Sequence, residues 1–346
     1  MTEAVPSAGG GPTRASRRRR SVPELVAAAR QGDPRAVARL ISLVEDAAPE
    51  LREVMAGLAP HAGHAYVVGL TGSPGVGKST STSALVAALR RRDLRVGVLA
   101  IDPSSPFSGG ALLGDRIRMQ EHATDTGVFI RSMASRGHLG GLSWATPQAL
   151  RVLDAAGCDV VLVETVGVGQ AEIDIASLAD STIVLLAPGM GDGIQAAKAG
   201  ILEIADIYVV NKADRDGADT TARELRQMLG LAGKRSGPQW TPPVLKTVAA
   251  RSEGVEEVVD ALVAHRDWMT AHGELAERRI ARAAGEIEAI AVAELRARMG
   301  DLRGGAERRR LAEAVVAGTT DPYTAADTLV ADLEAVDAAA GEEVRA

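Results

Sequence analysis

Residues Gly72 to Ser79 read GSPGVGKS, a full match to G-x-x-x-x-G-K-[ST], and they follow an apolar run, Ala65 to Leu70, of the kind that forms a buried strand. A strand that feeds such a loop into a helix collects backbone N–H groups at the helix N-terminus, where they form a nest for phosphate. Glycines at 72, 75 and 77 let the backbone turn tightly enough to aim those groups inward. In this pattern Lys78 reaches the β- and γ-phosphates and the Ser79 hydroxyl ligates Mg²⁺. The chemistry predicted is binding of a nucleoside triphosphate.

The base is indicated farther along. Ile207 to Val210 forms a second apolar strand that delivers Asn211-Lys212-Ala213-Asp214, the N-K-x-D pattern. A carboxylate can accept from both N1–H and the exocyclic amino group of guanine, whereas adenine has no donor at either place. A site built for those donors rejects a base that lacks them, by factors of about 10⁴ or more in favourable cases. Asp214 therefore selects GTP, and the two patterns together predict a GTPase.

Three further segments fall where strands end. Arg95 to Ile101 runs into Asp102, followed by Pro103-Ser104-Ser105-Pro106, Gly109-Gly110 and Gly114-Asp115-Arg116. Mg²⁺ keeps several waters and takes one or two carboxylates, so Asp102 and Asp115 are candidates to hold it partly through water. Asp159 to Val163 delivers Glu164-Thr165-Val166-Gly167 where many GTPases have Asp-x-x-Gly. Glu164 is one methylene longer than Asp, and Gly167 can offer its N–H to the γ-phosphate. Val168 follows, with no Gln beside it to orient an attacking water, which predicts slow unassisted hydrolysis. A third loop, Ala187 to Lys198, reads APGMGDGIQAAK; its glycines suit it to switching, and Lys198 is a candidate to stabilise developing phosphate charge.

The elements that must position these residues alternate. Short Val/Leu/Ile runs at 66 to 70, 95 to 101, 159 to 163, 181 to 186, 207 to 210 and 244 to 248 are separated by helical stretches. Such alternation predicts a mostly parallel sheet with helices on both faces and a ligand at the strands' C-terminal ends. Ahead of it, Ser21-Val22-Pro23-Glu24 has capping-box spacing, and Asp33-Pro34 opens another helix through about Glu45. From about Glu274 the strands stop. Ile280, Ala284, Ile287 and Ala291 recur at three- and four-residue steps, a second helix spans about Ala306 to Ala317, and Asp321-Pro322 starts a third. The expected division is a basic tail over 1–20, an N-terminal helical segment over 21–62, the nucleotide-binding domain over 63–272 and a helical extension over 273–346.

Composition fits this plan. The 346 residues carry two Phe, three Trp and three Tyr, so the apolar content rests on Ala, Val, Leu and Ile, which suits parallel strands covered by helices. No purely apolar stretch approaches the length of a membrane span. A net charge of −6 argues against general nucleic-acid binding, although Arg14 and Arg17 to Arg20 cluster in a Gly/Pro/Ser-rich tail. That tail reads as a solvated extension, with an organellar transit peptide as the other reading, and a bacterial cytoplasm is the expected location. Cys158 is the one cysteine, which excludes an intrachain disulfide and any multi-cysteine metal site; a small packed thiol is its expected role.

Taken together, GSPGVGKST from Gly72, DPSSPFSGGALLGDRIRM from Asp102, ETVGVGQ from Glu164, PGMGDGIQAAKAGILEIAD from Pro188 and NKAD from Asn211 closely resemble the MeaB/ArgK family. Its members are GTPase chaperones of methylmalonyl-CoA mutase and include the human methylmalonic aciduria type A protein. The resemblance spans roughly residues 21 to 335. It implies a P-loop GTPase of α/β class, with N-terminal helices and a C-terminal helical dimerisation extension, that binds GTP or GDP with Mg²⁺ and protects and loads an adenosylcobalamin-dependent acyl-CoA mutase. It assigns phosphate contacts to Gly72, Ser73, Pro74, Gly75, Val76, Gly77, Lys78, Ser79 and Thr80, and metal roles to Ser79, Asp102, Asp115 and Glu164. Guanine contacts fall to Asn211, Lys212 and Asp214, and partner-stimulated hydrolysis to Lys198. Val248-Ala249-Ala250 matches the last guanine-facing loop, usually Ser-Ala-x, where Val248 removes a hydroxyl and leaves backbone contacts.

Two other classes share part of the pattern. A nickel metallochaperone GTPase needs soft or imidazole ligands, and His61 and His64 are the only close histidine pair. A kinase or transport-linked nucleotide-binding protein needs an acceptor site, which the sequence does not reveal, and Asp214 favours guanine over ATP.

Overall fold

The computed structural model describes residues 20–103, 120–122, 124–135, 145–165, 171–189, 201–231, 238–301 and 306–331. Seven strands, β1 (Tyr66–Thr71), β2 (Val96–Pro103), β3 (Val128–Ser135), β4 (Val160–Thr165), β5 (Ser181–Leu186), β6 (Ile207–Val210) and β7 (Val244–Lys246), form one sheet in the order β3-β2-β4-β1-β5-β6-β7. Every pairing is parallel. The strand that feeds the phosphate loop thus lies at the centre, with its C-terminal end open to neighbours on both sides.

Alternate residues of the strands enter different cores, as the two-residue period of a strand requires. Val67, Leu99, Val161 and Val163 face one layer, which contains α1 (Val22–Arg30), α2 (Pro34–Glu45), α3 (Leu51–Leu58), α5 (Thr146–Ala155) and α6 (Ala171–Leu178). Val68, Leu70, Val98, Leu162 and Leu185 face the other, built from α4 (Lys78–Arg91) and α8 (Val255–Ala271). A smaller core joins Val184, Leu186, Tyr208 and Val210 to α7 (Ala218–Leu231). The N-terminal helices are therefore part of one apolar layer. Their starts are set locally: Ser21 and Glu24 form a full capping box on α1, and Asp33 accepts from the N–H groups of Arg35 and Ala36 at the start of α2.

Register is fixed by a recurring carboxylate. Asp159, Asp180 and Asp206 each precede a strand by one residue, and each accepts a backbone N–H from a neighbouring chain segment: Arg95 at 2.7 Å, Val67 at 2.9 Å and Thr182 at 2.8 Å. These bonds satisfy donors at the strand starts, those of Val67 and Thr182 buried, and leave the C-terminal ends to the site. Cys158 lies just before β4, is buried, and burial pushes its thiol up to about 12, in keeping with a packed thiol.

Two elements depart from expectation. Strand β3 was not foreseen, because an edge strand with Arg131 and Ser132 at its centre lacks a continuous apolar run. Arg131 is paired there with Glu45 and donates to Ser42 Oγ at 3.2 Å, which fastens the edge to α2. Helix α3 also went unread, since Glu50 at its N-cap makes no side-chain capping bond.

The chain divides at Leu275 and Ala276 into two units. The second contains most of α9 (Glu274–Asp301), then α10 (Ala306–Val316) and a helical stretch over 322–331. On α9, Ile280, Ile287, Ile290 and Leu295 are exposed.

Candidate functional site

The phosphate loop runs from the end of β1 to the first residue of α4. Gly72 has φ 143°, and a Cβ there would lie 2.3 Å from the Leu185 carbonyl oxygen. Gly77, at φ 96°, is the N-cap of α4, and a Cβ there would lie 2.5 Å from Asn211 Nδ2. No other residue fits either position, so these two glycines define the path of the loop. Lys78 folds back across it, with Nζ donating to the carbonyls of Gly72 at 2.6 Å and Ser73 at 3.2 Å. Its ammonium is therefore already at the mouth of the loop, where phosphate oxygens would replace carbonyls as acceptors. Ser73, Pro74 and Gly75 line the same turn, Val76 is buried under it, and Thr80 is exposed on the first turn of α4.

Glu164 stands level with Leu70 in the sheet register, which brings its side chain beside the first turn of α4. Ser79 Oγ donates to Glu164 Oε1 at 2.6 Å, and Thr82 Oγ1 donates to Oε2 at 2.9 Å. All three side chains are buried. A hydroxyl and a carboxylate held together, all oxygen, suit a hard divalent cation such as Mg²⁺. Thr71 Oγ1 and Thr165 Oγ1, at the ends of β1 and β4, are buried and have no hydrogen-bond partner among the described residues, as befits a pocket that takes a polar ligand. Asp102 lies near the end of β2, its backbone paired with Ala134, and its side chain is outside the described residues. Asp115, Gly167 and Lys198 also lie outside them.

The N-K-A-D segment leaves the end of β6 and ties three loops together. Asn211 Nδ2 donates to the Val76 carbonyl at 2.9 Å, while its Oδ1 accepts from Thr247 Oγ1 and from the Ala249 N–H, both at 3.1 Å. Lys212, in the left-handed region at φ 56°, reaches back so that Nζ donates to the Gly75 carbonyl at 2.6 Å. Asp214 is exposed, 3.5 Å from Arg251. Val248 and Ala249 are buried and Ala250 is exposed in the loop after β7. The structure thus brings Gly72 to Thr80, Glu164, Asn211 to Asp214 and Val248 to Ala250 to one end of the sheet.

Thr82, Thr247 and Arg251 were missed by sequence reasoning. Thr247, beside Val248, puts a hydroxyl on Asn211 Oδ1. Threonine at a strand end is too common to signal this. Thr82 lies one helical turn after Lys78, on the face that Ser79 shares, and that spacing was a usable signal once Glu164 was suspected. The Arg251 guanidinium is held ionised, above its ordinary range, chiefly by its hydrogen bond to Glu253 and further by the Asp214 charge.

The family model described as methylmalonyl Co-A mutase-associated GTPase MeaB matches residues 37–302. The chain belongs to the MeaB family of GTPases. A provisionally named GTPase of Pyrococcus abyssi is 48% identical over 313 residues, covering 90% of this chain and 97% of its own length. The mouse methylmalonic aciduria type A homolog, a mitochondrial protein, is 41% identical over 217 residues, or 62% of this chain and 52% of its own. Among solved structures, one described as an LAO/AO transport system kinase superposes with a TM-score of 0.68 at 28% identity, covering 90% of this chain and 97% of its own. The MeaB-family assignment carries binding of GTP and GDP with it and agrees with the phosphate loop. Among the described residues, no helix is long and apolar enough to cross a membrane.

Proposed function

We propose that this MeaB-family GTPase hydrolyses GTP to GDP and phosphate as the timing step of a chaperone that protects and loads an adenosylcobalamin-dependent acyl-CoA mutase of the methylmalonyl-CoA type. The observation that carries the reading is the junction at Asn211, which joins the phosphate loop through Val76 to the base loop through Ala249. One nucleotide lying across that junction would be read at both ends by a single side chain's network. The family description, methylmalonyl Co-A mutase-associated GTPase, supports the mutase as partner.

In this reading Lys78 leaves the loop carbonyls for the β- and γ-phosphates, and the backbone N–H groups of Gly72 to Thr80 surround them. Ser79, with Glu164, Asp102 and Asp115 directly or through water, would hold Mg²⁺, which neutralises charge on the transferring phosphoryl group when bound. Asp214 accepts from guanine, Asn211 and Lys212 brace the loops, and the backbone at Val248 to Ala250 faces the base. Gly167 and Lys198 act on the γ-phosphate side, Lys198 when the partner is bound. With Val168 rather than a glutamine directly after Gly167, hydrolysis is slow until the partner is bound.

The chain works as a homodimer in the cytoplasm, with the helical extension over 273–346 as the dimerisation element. Exposed Ile280, Ile287, Ile290 and Leu295 on α9 supply the apolar row that a second copy would cover. The test is capture with tagged full-length protein loaded with GDP or with a non-hydrolysable GTP analogue, the bound proteins being identified by mass spectrometry. Recovery of a cobalamin-dependent mutase in a nucleotide-dependent manner supports the reading. Recovery of a hydrogenase or urease precursor instead overturns it in favour of a metallochaperone.

A further inference from the structure

Asp214 has a fixed cation beside it. Arg251 Nη1 lies 3.5 Å from Asp214 Oδ2, while Nε and Nη2 of the same guanidinium donate to Glu253 Oε1 at 2.8 Å and Oε2 at 3.2 Å. A guanidinium is planar, with its donors in a rigid fork. A carboxylate that occupies the Nε and Nη2 edge therefore fixes where Nη1 points. Here Glu253 holds the fork and Nη1 is directed to Asp214.

The backbone makes the same arrangement stiff. Val248 and Glu253 form an antiparallel bridge at 3.0 and 3.3 Å, and the Arg251 N–H donates to the Val248 carbonyl at 2.8 Å. Ser252 closes the turn in the left-handed region at φ 57°. That turn is joined to the Asp214 loop by the Ala213 N–H, which donates to the Thr247 carbonyl at 3.0 Å. Both members of the Asp214 and Arg251 pair thus stand on segments bonded to one another.

We infer that Arg251, aimed by Glu253, is a positioning and specificity residue that sets the orientation of the Asp214 carboxylate toward the two donors of guanine. The inference rests on the proposal that Asp214 reads the base. An ionised carboxylate offers about four acceptor positions. Arg251 takes one on Oδ2 and restricts rotation of the group, which leaves the others for N1–H and the exocyclic amine. When the base covers the carboxylate and displaces water, Arg251 remains as its counter-charge.

The consequence is a loss of binding in the ground state. The base is the same in GTP and GDP, so removing Arg251 weakens both equally and raises KM rather than lowering kcat. An exposed ion pair contributes modestly, and the corresponding change in affinity is about two- to fivefold. Inosine nucleotides lack the exocyclic amine and gain less from an aligned carboxylate, so the preference for GDP over IDP narrows. Lysine cannot chelate Glu253 and present a second fixed donor, so R251K does not restore that preference.

The experiment measures binding of GDP and IDP to full-length wild type, R251A, R251K, E253Q and D214N, with XDP added for D214N and steady-state GTP hydrolysis for the Arg251 variants. The expected result is weaker GDP binding with a smaller GDP-to-IDP ratio in R251A and R251K, the same direction with a smaller size in E253Q, and a shift in KM. An R251A protein with the wild-type GDP-to-IDP ratio, alongside a D214N protein that loses GDP and gains XDP, overturns the role of Arg251 and leaves the base reading standing. A D214N protein that keeps wild-type GDP affinity overturns the base reading, and the inference with it.

Discussion

Ser79 Oγ and Glu164 Oε1 lie 2.6 Å apart, joined by a hydrogen bond across 85 positions of sequence. The last residue of the phosphate-loop motif and the acid at the end of β4 therefore form one oxygen-rich pair, with Thr82 on the other carboxylate oxygen. The longer Glu side chain reaches α4 where a shorter Asp on the same backbone would fall short.

Replacing Glu164 by Gln keeps the shape and removes the charge. Loss of a group that orients or completes a metal site costs about 10- to 100-fold in metal affinity or activity. The expected outcome for E164Q is a Mg²⁺ requirement for GTP hydrolysis displaced upward by that factor, with E164D impaired as well. Titrating Mg²⁺ in a phosphate-release assay measures it.

The hydroxyl at Thr247 makes a contrasting pair with Val248. T247V removes the bond to Asn211 Oδ1, at a cost of about 0.5–1.5 kcal/mol, seen as a lowered urea midpoint and a several-fold weaker GDP affinity. V248S adds a hydroxyl beside a site whose Asn211 Oδ1 already accepts from Thr247 Oγ1 and the Ala249 N–H, so its GDP affinity is expected to stay within about twofold of wild type. Calorimetric titration of the two variants compares them directly.

How far this site was legible depended on sequence distance. The phosphate loop and the N-K-A-D segment each keep their chemistry within a few residues, and both stand where their strands predicted. The capping residues Ser21 and Asp33 were readable for the same reason. Thr247 was not, because it acts on a partner far along the chain and has no local pattern, and Thr82 becomes legible only once Glu164 is suspected as its partner. Strand β3 was hidden by its edge position, where Arg131 can replace an apolar residue because Glu45 meets it. The register carboxylates Asp159, Asp180 and Asp206 are similar: each precedes its strand like an ordinary turn residue, and only the sheet order shows which N–H it receives.

Alkaline pH tests the packing. Burial pushes the Cys158 thiol from an ordinary 9.0 up to about 12, and burial, with repulsion from Asp206, raises the Tyr208 phenol from 10.0 to about 12. Both groups stay protonated in the folded chain while the unfolded chain loses protons. Their contribution to stability is therefore intact below about pH 9 and is lost as pH rises toward 12. At pH 10.5 the Cys158 part is on the order of 2 kcal/mol. Urea midpoints at pH 8 and pH 10.5 should fall for wild type and fall less for C158A.

The exposed row on α9 predicts an oligomer. An Asp in place of Ile287 would put a charge into the centre of an apolar contact, where an unpaired buried charge is strongly unfavourable. Wild type is expected to sediment as a dimer and I287D as a monomer at micromolar concentration, with GTP hydrolysis by the separated subunits as a check that the site survives.

In the proposed function, GTP turnover answers to a cobalamin-dependent mutase. The direct measurement is the steady-state rate of GTP hydrolysis by the purified full-length protein in Mg²⁺, alone and with its cognate acyl-CoA mutase verified as active, and with ATP in place of GTP. Slow GTP turnover alone, a clear acceleration on adding the mutase, and little ATP turnover under either condition are expected. An unchanged rate with the active mutase, or ATP hydrolysed as fast as GTP, would contradict the proposed function.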